Sequence, residues 1–146
     1  MKGAWVLAFA LVACGDDTSE APRLTGSVAR VYPLDFATTR ARLGTTELAI
    51  QYVASGGAVP VQVVVDLQAC PVAGPGALDL TACGTVLGSR GASDLPPFVR
   101  GALRLETYAP TAGARVAGDF DAVLAVADGR EFTVRGAFAA ALELVE

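Results

Sequence analysis

Few side chains in this sequence could do chemistry, and the missing ones narrow the field first. The 146 residues include no histidine. That removes a Ser-His-Asp triad, a Cys-His dyad and any imidazole metal ligand together. There is no Gly-x-Ser-x-Gly, phosphate-binding loop or dinucleotide fingerprint either. Among the carboxylates, Asp119 and Asp121 have the one spacing of interest. On one face of a strand their Cα atoms would stand about 7 Å apart. Such a pair suits glycosidase chemistry or two ligands of a calcium ion. The plainer expectation is a solvated strand face, so no catalytic residue, cofactor-binding residue or metal ligand is assigned. Three cysteines remain: Cys14, Cys70 and Cys83. The last two are not spaced Cys-x-x-Cys, so no redox motif is indicated. Two thiols without histidine also make a poor zinc site.

Cys14 closes a leader. Lys2 supplies a positive start, residues 3–14 carry no charge, and Asp16 and Asp17 end the apolar run. As a helix this run spans ~18 Å, well short of the ~30 Å hydrocarbon core of a bilayer. A charged start, an apolar stretch and small residues before a cut describe an export signal. Leu11-Val12-Ala13-Cys14 resembles the lipobox of bacterial lipoproteins. The resemblance covers about a tenth of the chain and implies a signal peptide over residues 1–13, cleaved between Ala13 and Cys14. It also implies a diacylglycerol on the Cys14 thiol and often an acyl group on the new amino terminus. Two or three acyl chains anchor stably where one is marginal. An ordinary secretory signal with a chance cysteine is the alternative, and a buried hydrophobic N-terminal element is another. Residues 14–23 then read as the lipidated cysteine and a polar, flexible tether. Gly15, not an aspartate, follows the cysteine directly. By the same resemblance this leans towards the outer membrane, in a host that has one.

With Cys14 taken by lipid, Cys70 and Cys83 are left as a pair. An exported protein meets an oxidising compartment, so a disulfide between them is expected. Closing a loop of about 14 residues would stabilise by roughly 3 kcal/mol in the chain-entropy model. Two free buried thiols are the alternative.

The elements that must position these groups read as strands. Val59, Val61, Val63, Val65 and Leu67 alternate with more polar residues, as a strand with one apolar face does. Leu48, Ile50 and Tyr52 form a second such face, and Ser55-Gly56-Gly57 supplies turn chemistry between the two. Further on, Leu103 and Leu105 oppose Arg104 and Glu106. Val116, Phe120, Ala122, Leu124 and Val126 oppose Arg115, Asp119 and Asp121. Phe132, Val134, Phe138, Ala140, Leu142 and Leu144 oppose Glu131, Thr133 and Arg135. Turns at 110–113 and at Asp128-Gly129 would join these into a three-stranded meander over about residues 99–145. Gly118 and Gly136 fall inside strands and suggest bulges or bends. Residues 25–32 read as another strand, 35–43 as at most one helical turn, and 72–97 as a long connection with one short strand near 85–87. The stretch 137–144 is rich in Ala and Leu, yet its alternation is unbroken from Phe132, so it is read as strand.

Residues 24–146 therefore form one domain of the all-β class. The expected architecture is a single antiparallel β-sandwich of about seven or eight strands, with a small up-and-down β-barrel as the alternative. Apolar residues make up 53% of the chain and the formal charge is −4. Losing Lys2 with the leader leaves the mature chain near −5, since Lys2 is its only lysine. An acidic chain without a basic cluster is a poor ligand for nucleic acid. The function expected is that of a non-catalytic, membrane-anchored envelope lipoprotein. The membrane would be held through the lipid on Cys14, with a protein or glycan as a further partner. A lipocalin-like carrier of an apolar small ligand is the alternative.

Overall fold

The computed structural model describes residues 21–146. The expected lipidation at Cys14 and cleavage between Ala13 and Cys14 lie outside the described residues. Two hairpin systems build the domain. In the first, β3 (Glu47–Val53) and β4 (Val61–Asp66) pair antiparallel. Leu48, Ile50 and Tyr52 lie opposite Val65, Val63 and Val61. All six are buried, so the alternation in the sequence is the alternation of core and solvent. The turn falls where Ser55-Gly56-Gly57 places it, with Gly57 at φ 91° and the Ala54 N–H donating to the Ala58 carbonyl at 2.8 Å. In front of β3 runs β2 (Thr38–Leu43), paired antiparallel with it. The helical turn considered for 35–43 gives way to this strand, because Thr38 and Thr39 favour extended backbone and β3 offers a full ladder.

The second system is the expected meander: β9 (Phe98–Thr107), β10 (Arg115–Ala125) and β11 (Glu131–Leu144). Leu103, Leu105, Val116, Phe120, Ala122, Leu124, Val134, Phe138 and Leu142 point inwards and are buried. Leu144 does not join them. It is 56% exposed, at the last pair of the sheet, beyond the core. The Ala-rich stretch is strand throughout, because β10 ladders against it from Arg115↔Ala141 onwards and overrides helical propensity.

β11 links the two systems. At about 3.3 Å per residue it is long enough to serve two neighbours along one edge. One is β1 (Arg23–Thr25), antiparallel over 135–137. The other is β2, parallel over 142–144. The main sheet thus has nine strands in the order β5-β9-β10-β11-β2-β3-β4-β6, with β1 off this path beside β11. Its two ends are β5 (Gly76–Asp79) and β6 (Gly84–Leu87), joined in the chain by a single helical turn, α1 (Leu80–Cys83). The sheet therefore rolls into a nearly closed barrel. The all-β expectation holds, while the strand order is not up-and-down and one contact is parallel.

Two local expectations are corrected. Residues 25–32 are not one strand: after β1, Gly26 turns at φ 141° and a 3-10 turn covers Ser27–Arg30. A side chain at Gly26 would strike the backbone of Thr133, so the chain bends where the sheet presses on it. The connection 72–97 is more structured than expected. It holds β5, α1, β6 and a small ribbon of β7 (Ser89–Arg90) and β8 (Ser93–Asp94).

One contiguous core fills the barrel, from Val28 and Tyr32 through Ile50 and Val63 to Phe120 and Phe138. Tyr52 spans it. Its hydroxyl donates to the Ala137 carbonyl at 2.8 Å, so β3 is tied to β11 across the interior.

Candidate functional site

Asp119 and Asp121 do share the outer face of β10, as their spacing requires. They line a cleft of about 700 Å3 together with Thr25, Arg23, Arg104 and Arg135 from the neighbouring strands. Asp119 is engaged there. Arg104 directs Nε and Nη2 at its Oδ2 at 3.1 and 2.6 Å, and the same Nη2 reaches Glu106 at 2.7 Å. A carboxylate bound to a guanidinium on an open strand face is ion-paired surface, which matches the solvated-face expectation. Glycosidase chemistry needs two carboxyl groups facing each other across a sugar, whereas these two project side by side from one strand. Among the described residues, no group of three or more carboxylates and thiols is placed to hold a metal ion.

A second pair is tighter in form. Arg100 on β9 meets Glu131 on β11 through two bonds, Nη1–Oε1 at 3.1 Å and Nη2–Oε2 at 3.0 Å. These hydrogen bonds, then the opposite charge, hold the Glu131 carboxyl below its ordinary range and raise the Arg100 guanidinium. Both groups face solvent, at about half exposure.

The opposite side of the barrel carries features that alternation alone did not reveal. Arg40 donates from Nε and Nη2 to Gln51 Oε1 at 2.9 and 2.7 Å, and Gln51 Nε2 donates to Gln62 at 3.1 Å. This amide ladder crosses β2, β3 and β4. Beside it lie two clefts that share Thr46 and Glu47. One, of about 350 Å3, is lined by Arg42, Ala49, Gln51 and Gln62. The other, of about 650 Å3, is lined by Val64, Asp66, Thr81, Cys83 and Thr85. The sequence shows Gln51 and Gln62 at outward positions. That they stand opposite each other follows from the strand register, which the sequence does not state.

Cys70 and Cys83 form a disulfide, with Cα atoms 5.8 Å apart. It bounds the larger cleft and fixes α1 to the chain leaving β4. The three tyrosines are core or rim groups. Tyr32 donates to the Pro60 carbonyl at 2.7 Å and Tyr52 to Ala137. Burial raises the pKa of Tyr32, Tyr52 and Tyr108, with the Asp119 charge adding to the effect at Tyr52. None of them faces a cleft described above.

Fold and surface together define a small all-β domain with a filled interior and polar outer clefts. Comparison with protein-family models, curated proteins and solved structures returns no match. The functional reading therefore rests on the chain's own residues.

Proposed function

We propose that this chain is a membrane-anchored envelope lipoprotein, whose β-domain serves as a non-catalytic binding or structural module held by lipid on Cys14. The observation that carries the reading is the Cys70–Cys83 disulfide. It supports an oxidising compartment, and it pairs the two cysteines other than Cys14, which ends the lipobox-like Leu11-Val12-Ala13-Cys14. No helix among the described residues is long and apolar enough to cross a membrane. Attachment through lipid at the N-terminus is compatible with a domain whose first strand begins at Arg23.

The binding or structural role is preferred to the carrier role because the inward positions are occupied. Val28, Tyr52, Val61, Val63, Leu103, Leu124 and Val134 are all fully buried against one another, whereas the clefts lie on the outside. A carrier of an apolar ligand needs that volume inside.

The test is fractionation of cells making the wild-type chain or Cys14→Ser. The reading expects the wild type in the membrane fraction, extracted by detergent and not by high salt, and the variant released from it. Wild-type protein in the soluble fraction would overturn it.

A further inference from the structure

The rolled sheet has a seam, and we propose that the Cys70–Cys83 disulfide is a redox latch on it: reduction releases the β5–α1–β6 corner while the rest of the barrel stays folded. The proposal is independent of the anchor reading, since it concerns only the folded domain.

The seam follows from topology. β5 and β6 end the hydrogen-bonded path, and among the described residues they are not paired with each other. α1 spans the gap. Leu80 is fully buried beneath it, and the Thr81 hydroxyl accepts the Gly101 N–H of β9 at 3.3 Å. Leu87 on β6 and Val99 on β9 remain exposed at 41% and 39%. The disulfide adds the covalent brace. Cys70 sits on the turn after β4, where its N–H donates to the Asp66 carbonyl at 2.9 Å, and Cys83 closes α1. The bond thus ties the seam turn to the second-last strand of the sheet.

Besides the disulfide, the corner is held by the buried Leu80 and Val86 and by two short ladders, β5 on β9 and β6 on β4, and its weakest stretch is 71–79. Residues 71–79 include Pro71, Gly74, Pro75 and Gly76 and are largely exposed. Their one regular element, β5, is four residues long. β10 and β11, by contrast, pair along the whole span from Arg115↔Ala141 to Ala125↔Glu131. Segments with few buried apolar contacts open at the lowest free energy, so opening starts in 71–79 once the bond is cut and spreads from there into α1 and β6.

The bond can be reached. Cys70 is half-buried while Cys83 is 4% exposed, and the cleft of about 650 Å3 lined by Ala69, Thr81 and Cys83 opens beside them. The reductant is a dithiol. Its thiolate attacks Cys70 Sγ, and the electron pair of the S–S bond leaves on Cys83, which takes up a proton. The second thiol then attacks the mixed disulfide. That step frees Cys70, which is protonated in turn, and the dithiol departs as a disulfide. Two electrons and two protons pass to the protein. Opening uncovers Leu80 and Val86 and frees the edges of β6 and β9.

Hydrogen–deuterium exchange of the full chain, before and after dithiothreitol under native conditions, tests this. Amides of residues 70–87 and the facing edge of β9 should exchange at least about tenfold faster after reduction. Those of β10, β11, β2 and β3 should be unchanged, and reoxidation should restore the first pattern. The double variant Cys70→Ser, Cys83→Ser should reproduce the reduced pattern without any reductant. An unchanged rate over 70–87 would make the bond an idle staple. A rise throughout β3 and β11, or a double variant that fails to fold, would make it a global one. Either result overturns the latch.

Discussion

Tyr52 joins the two hairpin systems through one hydroxyl, and Gly136 makes room for it. A Cβ at Gly136 would collide with the Phe120 ring, the Tyr52 hydroxyl and Leu24. Phe36 stacks edge-on against the Tyr52 ring at 5.1 Å, so the ring cannot move aside freely. Gly136→Ala should therefore cost about 1–3 kcal/mol, the usual range for overpacking a core, measured as a lower urea midpoint. No bulge falls at Gly136 against β10, where the register runs unbroken, while the register of β10 with β9 shifts at Ala117/Gly118 and again at Val123/Leu124. Alternation placed Tyr52 inward, but its acceptor lies 85 residues away, and no local pattern can name a partner at that distance. Burial raises all three tyrosines above 10.0, their ordinary value. The folded state then holds protons that the unfolded state releases, so this contribution is complete below pH 10 and is lost as pH rises. Absorbance at 295 nm should show tyrosine ionisation delayed beyond pH 10 and coincident with loss of the β-sheet circular dichroism. Ionisation at the ordinary pKa with the fold intact would contradict the burial.

Among the elements, the long strands were legible, and of the short ones only β6, the strand expected near 85–87. β3, β4, β9, β10 and β11 each bury one face, so their side-chain types repeat with period two. The Asp128-Gly129 turn was equally plain. Both residues take positive φ, 80° and 73°, inside a 3-10 turn over Ala127–Gly129 that the Val126 N–H and the Arg130 carbonyl close at 3.0 Å. Gly129→Ala should destabilise by about 1 kcal/mol, because a side chain there is strained in that conformation. Equilibrium unfolding with an unchanged m-value would register this as a turn effect. β1 and β5 have three or four residues each and lie at a sheet edge or end. Too few positions face the core to make a pattern, and Pro71 and Pro75 in the chain before β5 read as loop. The outer clefts were illegible for a related reason. Arg104 meets Asp119, and Gln51 meets Gln62, only because registers align them, and register is a property of strand pairs.

At the scale of the molecule, composition decided the class and the cysteines decided the organisation. An acidic, Val- and Ala-rich chain without histidine folds as a filled, nearly closed β-sheet whose surface carboxylates are in part matched with arginine, as at Asp119 and Glu131. The central claim concerns the remaining cysteine. Mass spectrometry of the chain purified from the membrane fraction, intact and as its N-terminal peptide, tests it most directly. A wild-type chain that begins at Cys14 and carries the mass of a diacylglycerol, with Cys14→Ser lacking both the cut and the lipid, is the result predicted. A wild-type chain that is unmodified and begins elsewhere would contradict it.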